Sequence, residues 1–134
     1  MKGETKVCDI DFHPNIGNIP KFAPNILTGN TLGEIQLWTF DEDLSEQKKI
    51  NIKAHQDRIN AVKFHEKGNI FLTASYDKTW SIYDSMKLKE LSNQKGHQYP
   101  IHALSIHPDG ALICTCDLER YGMVWDLRTG KGIY

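Results

Sequence analysis

The chain has 134 residues, about one ordinary domain, with 40% hydrophobic residues, 25% charged residues and a formal net charge of −1. That near-neutral balance argues against a nucleic-acid grip, which needs Lys and Arg clustered on one face, and the longest basic run, Lys48-Lys49 with Lys53 behind it, reads as a solvated strand edge. No apolar stretch approaches the roughly 20 residues of a membrane helix, and the opening MKGETKVCDIDF lacks the apolar core of a secretory signal.

Almost nothing along the chain has helical periodicity. Short β-rich runs alternate with turn residues, which predicts an all-β fold. The first group of runs is Val7–Phe12, Asn25–Gly29, Glu34–Trp38 and Lys48–Ile52. Between His13-Pro14 and Asn25 lies NIGNIPKFAP (15–24), whose two prolines and two asparagines predict an irregular surface excursion. The second group is Ile59–Phe64, Ile70–Ser75, Thr79–Tyr83 and Leu88–Ser92. The third is Ile101–Ile106, Ala111–Thr115, Tyr121–Trp125 and Lys131–Tyr134. Lys67-Gly68-Asn69, Asp109-Gly110 and Thr129-Gly130-Lys131 supply hairpin-turn chemistry between them. The groups divide the chain into units at about 7–52, 59–92 and 101–134.

Two units align without a gap, INAVKFHEKGNIFLTASYDKTWSIYD (59–84) and IHALSIHPDGALICTCDLERYGMVWD (101–126), at an offset of 42 residues. Four residues ahead of each stands a small residue plus His, Ala54-His55 and Gly96-His97; a degraded copy runs from Val7 to Leu37-Trp38-Thr39. A period of about 40–45 residues, with Gly-His early and Trp-Asp late, marks a WD-type propeller blade. Four antiparallel strands per repeat make one such blade. The whole chain resembles the WD40-repeat β-propeller family: three four-stranded antiparallel blades, an incomplete arc of a seven-bladed ring. Three blades cannot close a ring, since propellers use about four to eight. About four more blades, and open outer faces on the first and third, are therefore expected.

A narrower resemblance is to the WD-repeat pre-mRNA processing factors of the U4/U6 small nuclear ribonucleoprotein. It rests on TASYDKTWSIYD (73–84), with Trp80 three residues after Asp77; on ERYGMVWDLRTGK (119–131), with an aromatic-Gly pair ahead of Trp-Asp; and on FHPNIGNIPKFAPNILT (12–28), with an insertion after His-Pro. The three occur in the same order. Tyr83 and Thr39 dilute the Trp-Asp pairs, and Leu32 and Glu119 replace the turn Asp. What the resemblance implies is a nuclear, non-enzymatic subunit among the splicing proteins of the U4/U6 and tri-snRNP particles. Contact with small nuclear RNA would be indirect or peripheral. A generic adaptor, such as a ubiquitin-ligase substrate receptor, is the alternative within the same architecture.

The polar residues that invite a catalytic story recur once per repeat, as a structural brace does. His55 precedes the second unit, Thr73 and Ser75 share a strand face, Asp77 occupies the next turn and Tyr83 ends the third strand. A buried chain from carboxylate to imidazole to hydroxyl to aromatic tip would satisfy each group. In the third unit the equivalents are His97, Thr115, Glu119 and Trp125. In the first, the turn position is Leu32, so that unit is expected to depend on packing of Ile10, Phe12, Leu27, Ile35, Leu37 and Trp38. His13, His65 and His107 recur at the end of each first strand and suggest a turn role.

No nucleophile–base pair, carboxylate pair or metal-ligand set stands out, and no cofactor or small-molecule substrate is implied. Thr129-Gly130-Lys131 lacks the rest of a phosphate loop. The cysteines, Cys8, Cys114 and Cys116, are odd in number, which suits a reducing compartment, and the latter two read as buried core thiols on one strand face. Candidate partner contacts are the aromatic and charged residues near turns: Tyr76, Lys78, Trp80, Tyr99, Arg120 and Tyr121. For Trp80 the competing role is packing between blades.

Overall fold

The computed structural model describes residues 6–14, 26–40, 47–127 and 131–132. These form three four-stranded antiparallel sheets. The first comprises β1 (Val7–Phe12), β2 (Ile26–Asn30), β3 (Glu34–Phe40) and β4 (Gln47–Lys53). The second comprises β5 (Ile59–Phe64), β6 (Ile70–Ser75), β7 (Thr79–Asp84) and β8 (Glu90–Lys95). The third comprises β9 (Ile101–Ile106), β10 (Leu112–Asp117), β11 (Gly122–Asp126) and β12 (Lys131–Gly132). Each is a meander in which chain neighbours pair, so every hairpin is local in sequence. The insertion at 15–24 and the first residues of the turn Thr129-Gly130-Lys131 lie outside the described residues.

Boundaries moved where turn chemistry outranked β propensity. The run Leu88–Ser92 is displaced to β8 because Asp84 Oδ1 accepts from the amides of Met86 and Lys87, closing a turn that ends with Leu88 at φ 57°. β10 extends to Asp117 because residues 112–117 keep pairing with β9 and β11.

The core is divided between the sheets rather than inside any one of them. Leu27, Ile35 and Leu37 of the first sheet pack against Ile59, Val62, Phe64, Phe71 and Tyr83 of the second. Ala61, Leu72, Ala74 and Trp80 on the second sheet's other face pack against Ile101, Leu104, Ile113 and Trp125 of the third. One face of each sheet thus carries the larger side chains and fills the flatter face of the sheet before it. Burying a side chain such as Phe71 contributes about 1.5–3 kcal/mol, so these two interfaces account for much of the fold's apolar stabilisation.

Polar groups register the sheets against one another. Asp9 and Asp11 of β1 accept from the amides of Val62 and Phe64 at 3.0 and 2.7 Å. Nε2 of His13 bonds the Gly68 carbonyl at 3.2 Å, and Nε2 of His65 bonds that of Gly110 at 2.9 Å. Each histidine therefore latches the β-turn of the following sheet. Both glycines have φ near +75 to +79°, and a Cβ on either would stand 2.3–2.4 Å from the imidazole it receives. Only glycine fits. His107, the third of the series, is exposed, with Nδ1 2.9 Å from Asp109.

The outer faces correct two expectations. Ile10 and Phe12, expected to pack the first unit, are 53% and 57% exposed, whereas their equivalents Val62 and Phe64 are 2% and 6% exposed. They point away from the second sheet, and no sheet covers them among the described residues. For the same reason Cys114 is exposed and Cys116 half-buried instead of both lying in the core. They lie on the face of the third sheet that no other described sheet covers.

Candidate functional site

Two sets of polar residues emerge from this frame, one internal and one at the surface. The internal set is built around His55 and His97, each in the loop that leads into a sheet. Nδ1 of His55 lies 2.9 Å from Asp77 Oδ2, and its Nε2 lies 2.7 Å from the Thr73 hydroxyl. Asp77 also accepts from the Thr79 amide and hydroxyl and from the Gln56 amide. Burial alone would raise its carboxyl pKa, but the bonds from His55 and Thr79 outweigh that and hold it well below the usual carboxylate range.

In the third sheet the carboxylate is Asp117, not Glu119. His97 Nδ1 lies 3.1 Å from Asp117 Oδ2, Nε2 lies 2.6 Å from Thr115, and Trp125 Nε1 donates to the same hydroxyl at 2.9 Å. Asp117 occupies the position of Ser75 in the repeat, two residues ahead of the position that alignment with Asp77 suggests. From there Oδ1 also accepts from the amides of Glu119 and Tyr121, closing the turn. Burial opposes ionisation of Asp117, yet the Tyr121, His97 and Glu119 donors lower its pKa. Glu119 is exposed.

The second sheet divides these duties. Ser75 stands outside the imidazole chain: its hydroxyl donates to the Arg58 carbonyl at 2.8 Å and accepts from the Asp77 amide. Tyr83 does not reach Thr73 either, because its ring lies parallel on Phe71 at 5.3 Å. Burial pushes its phenol up to about 12, so it stays neutral. In the first sheet Asn30 supplies the acceptor that Leu32 lacks, with Oδ1 taking the amides of Leu32 and Glu34 at 3.0 Å each. Trp38 Nε1 donates to Thr28 at 3.5 Å. Asn30 and Asp117 share one sequence signal, a short polar acceptor that ends the second strand immediately before the turn. The imidazoles, carboxylates and hydroxyls of His55, Asp77, Thr73, His97, Asp117 and Thr115 are thus bonded to one another or to neighbouring backbone, as a structural brace requires.

The surface set lies at one end of the sheets. Antiparallel pairing brings the starts of β1, β5 and β9 to the same end as the turns after β2, β6 and β10. Five candidate contacts gather there. Tyr76 is exposed beside the β6–β7 turn; Lys78 and Arg120 occupy equivalent turn positions at φ 75° and 73°, which projects both into solvent. Tyr121, 65% exposed, stacks on Tyr99 with ring centroids 6.4 Å apart. Trp80 does not belong to this set. It is 1% exposed, meets Trp125 edge to face at 5.2 Å, and has a buried Nε1–H with no acceptor among the described residues. Alternation on β7 turns it toward the third sheet.

At the middle of this end is a cleft of about 570 Å³. Its floor is built by the repeat. In each first strand the ladder skips one residue, at Cys8, Asn60 and His102, leaving three equivalent β-bulges. All three residues line the cleft with Lys6, Arg58 and Tyr76. Bulges re-aim side chains, and here they aim one from each sheet at a common space. Among the described residues no group of three or more His, Cys, Asp or Glu could hold a metal ion.

Residues 46–84 and 88–126 match the family described as WD domain, G-beta repeat, and together they cover more than half of the chain. The chain belongs to the WD40-repeat family. Comparison with the curated proteins finds no match. Each matched WD repeat begins just ahead of, or at, the outermost strand of one sheet and ends with the third strand of the next, so the sequence unit is staggered against the structural one. The three sheets are WD40 blades, and domains of this family are in general non-enzymatic modules that bind other proteins.

Proposed function

We propose that this chain is a protein-interaction scaffold of the U4/U6 small nuclear ribonucleoprotein, acting in pre-mRNA splicing in the nucleus. The observation that carries the scaffold reading is the end of the blades bearing Tyr76, Lys78, Tyr99, Arg120 and Tyr121, exposed on turns that the brace holds rigid. Exposed Tyr and Arg on a fixed frame are the residues that dominate protein interfaces. The splicing assignment is supported by the resemblance of residues 12–28, 73–84 and 119–131 to the processing factors of that particle. Its partners are other splicing proteins of the U4/U6 and tri-snRNP particles, with small nuclear RNA touched at most peripherally.

The test is affinity purification of the tagged protein from nuclear extract, with proteins read by mass spectrometry and RNA by blotting for U4 and U6. Co-purification of both RNAs with tri-snRNP proteins, weakened by Tyr121→Ala with Arg120→Ala, is the expected result. Recovery of ubiquitin-ligase subunits without those RNAs would replace the splicing assignment with the substrate-receptor reading.

A further inference from the structure

The fourth strand of each blade is a sheet edge, and the three edges differ in how they are blunted. β8 is broken by a bulge: Ile82 pairs with Ser92 and Tyr83 with Glu90, so Leu91 is skipped. β12 has two described residues. Only β4 keeps an unbroken ladder over seven residues, from Glu34 with Lys53 to Phe40 with Gln47. Its sequence, QKKINIK, contains neither proline nor glycine. Proteins ordinarily blunt a long regular edge with bulges, prolines or outward lysines. The two β4 lysines whose side chains are described do not guard it. Lys49 Nζ lies 5.2 Å from the centroid of the Trp38 ring, and Lys53 Nζ donates to the Leu32 carbonyl, so both are folded back on their own blade. Ile50, midway along the strand, is 43% exposed.

The direction of the ladder fixes which backbone groups of this edge are free. The Ala54 amide donates to the Gly33 carbonyl, so it faces the third strand of the blade. Alternation along a regular strand turns Ile52 and Ile50 the same way, and turns the amides and carbonyls of Lys53, Asn51 and Lys49 outward. We propose that this edge pairs antiparallel with the same edge of a second copy, about a twofold axis through Ile50. That register sets Lys49 of each copy against Asn51 of the other, with reciprocal N–H to carbonyl bonds, and sets Lys53 against Gln47. Ile50 meets Ile50 as a pair without hydrogen bonds, where side chains come closest. Moving the axis by one residue fails in both directions: about Lys49, that lysine opposes itself, and about Asn51, Lys49 opposes Lys53. Like charges directly opposite are destabilising, which selects the Ile50 register. A twofold contact of one patch with itself is also the commonest way for a chain to pair. Two four-stranded sheets then become one continuous sheet across the copies. Because the strands run in opposite directions, the ends bearing Tyr76 and Tyr121 point opposite ways. The pairing stands apart from the splicing assignment and would make the scaffold bivalent.

Sedimentation velocity of the full chain tests this, with a monomer–dimer equilibrium as the expected result. The Asn51 amide is not used by its own blade, and proline is tolerated where an edge-strand amide faces outward. Asn51→Pro should therefore weaken the dimer at least about tenfold and leave the melting temperature unchanged. If Asn51→Pro does lower the melting temperature, Ile50→Lys gives the same readout from an exposed position by setting like charges at the axis. Diamide oxidation fixes the register. In Ile50→Cys the paired Cα atoms are about 4.5 Å apart, within disulfide range, whereas in Lys53→Cys they are about 20 Å apart. A crosslink between the two introduced thiols, identified by mass spectrometry, is expected from Ile50→Cys and not from Lys53→Cys. Equal crosslinking of the two variants, or a dimer that survives both Asn51→Pro and Ile50→Lys, overturns the proposal. So does a dimer abolished by Phe12→Ser, which would assign self-association to the open face of the first blade. A chain that is monomeric at every concentration also overturns it; protection of the Lys49 and Asn51 amides from hydrogen exchange by a synthetic Thr-Val repeat peptide would then assign the edge to a foreign strand.

Discussion

Removing the carboxylate at position 117 tests the brace most sharply, because Asp117 and Glu119 make opposite predictions there. In Asp117→Ala three hydrogen bonds disappear, from His97 Nδ1 and from the amides of Glu119 and Tyr121. His97 is 8% exposed and would keep a buried donor without an acceptor. Leaving such a group unsatisfied costs about 1–3 kcal/mol, and bonds to a charged group are worth about 1.5–3 kcal/mol. The exposed turn amides recover part of theirs from water. The balance is a loss of about 3 kcal/mol, or about 10 °C in melting temperature for a chain of this size. Glu119→Ala, which removes an exposed side chain, should stay within about 0.5 kcal/mol. Urea denaturation of both variants measures the difference. A double-mutant cycle with His97→Ala should return a coupling of about 1–2 kcal/mol for Asp117. Equal losses in Asp117→Ala and Glu119→Ala, or no coupling to His97, would refute the assignment.

Other perturbations have equally definite outcomes. Trp80→Ala should cost about 3–5 kcal/mol by opening a cavity between the second and third blades, whereas Trp80→Phe should cost far less because the lost indole N–H has no acceptor; thermal melts separate the two. Asp77 and Asp117 both have lowered folded-state pKa values, so their stabilisation is complete above about pH 4 and is lost as pH falls toward those values; Asp117→Asn should flatten this acid limb in denaturation curves. Burial lowers the pKa of His13 below its ordinary 6.5 and is only partly offset by the Gly68 carbonyl, so the unfolded chain takes the proton first. Stability should therefore fall as pH drops below about 6.5, and His13→Ala should remove that dependence. Gly110→Ala should cost about 2 kcal/mol or more, since it places a Cβ 2.4 Å from His65 Nε2 at φ 79°, and hydrogen exchange should show the loss at the second–third blade junction. Phe12→Ser should reduce concentration-dependent association in sedimentation, because Val7, Ile10 and Phe12 form an exposed apolar row.

How much of this was readable beforehand depended on what each position answers to. Strands β1, β5, β6 and β9 were legible to the residue, since alternating β-branched and aromatic residues between glycine turns leave little freedom. The fourth strand of the second blade was not, because Asp84 captures two amides and delays the strand past Leu88. The His–Thr pairs were legible from their recurrence. Asp117 and Asn30 were missed because an alignment compares like positions, while the imidazole and the turn amides need only an oxygen within reach, which the strand end offers as well as the turn does. The exposure of Ile10, Phe12 and Cys114 was invisible to pattern reading: the same alternation is buried in one blade and bare in another, according to what lies next to it. The three bulges leave no composition signal, since Cys, Asn and His share only their place in the ladder.

The stagger between WD repeat and blade decides where this chain can be cut. A break after Asp84, at the end of the first matched repeat, would separate β8 from β7 and bare the whole outer edge of the second blade, leaving Ser81 without Asn93 and Glu90. Such a piece would expose a ready-made pairing edge and precipitate. A break in the loops at 54–58 or 96–100 keeps every sheet whole, but it lies beside His55 or His97, so the cut must fall on the N-terminal side of the histidine for the brace to survive. Circular permutants and split reporters built on these blades have their joining points fixed by the imidazoles rather than by the repeat boundary.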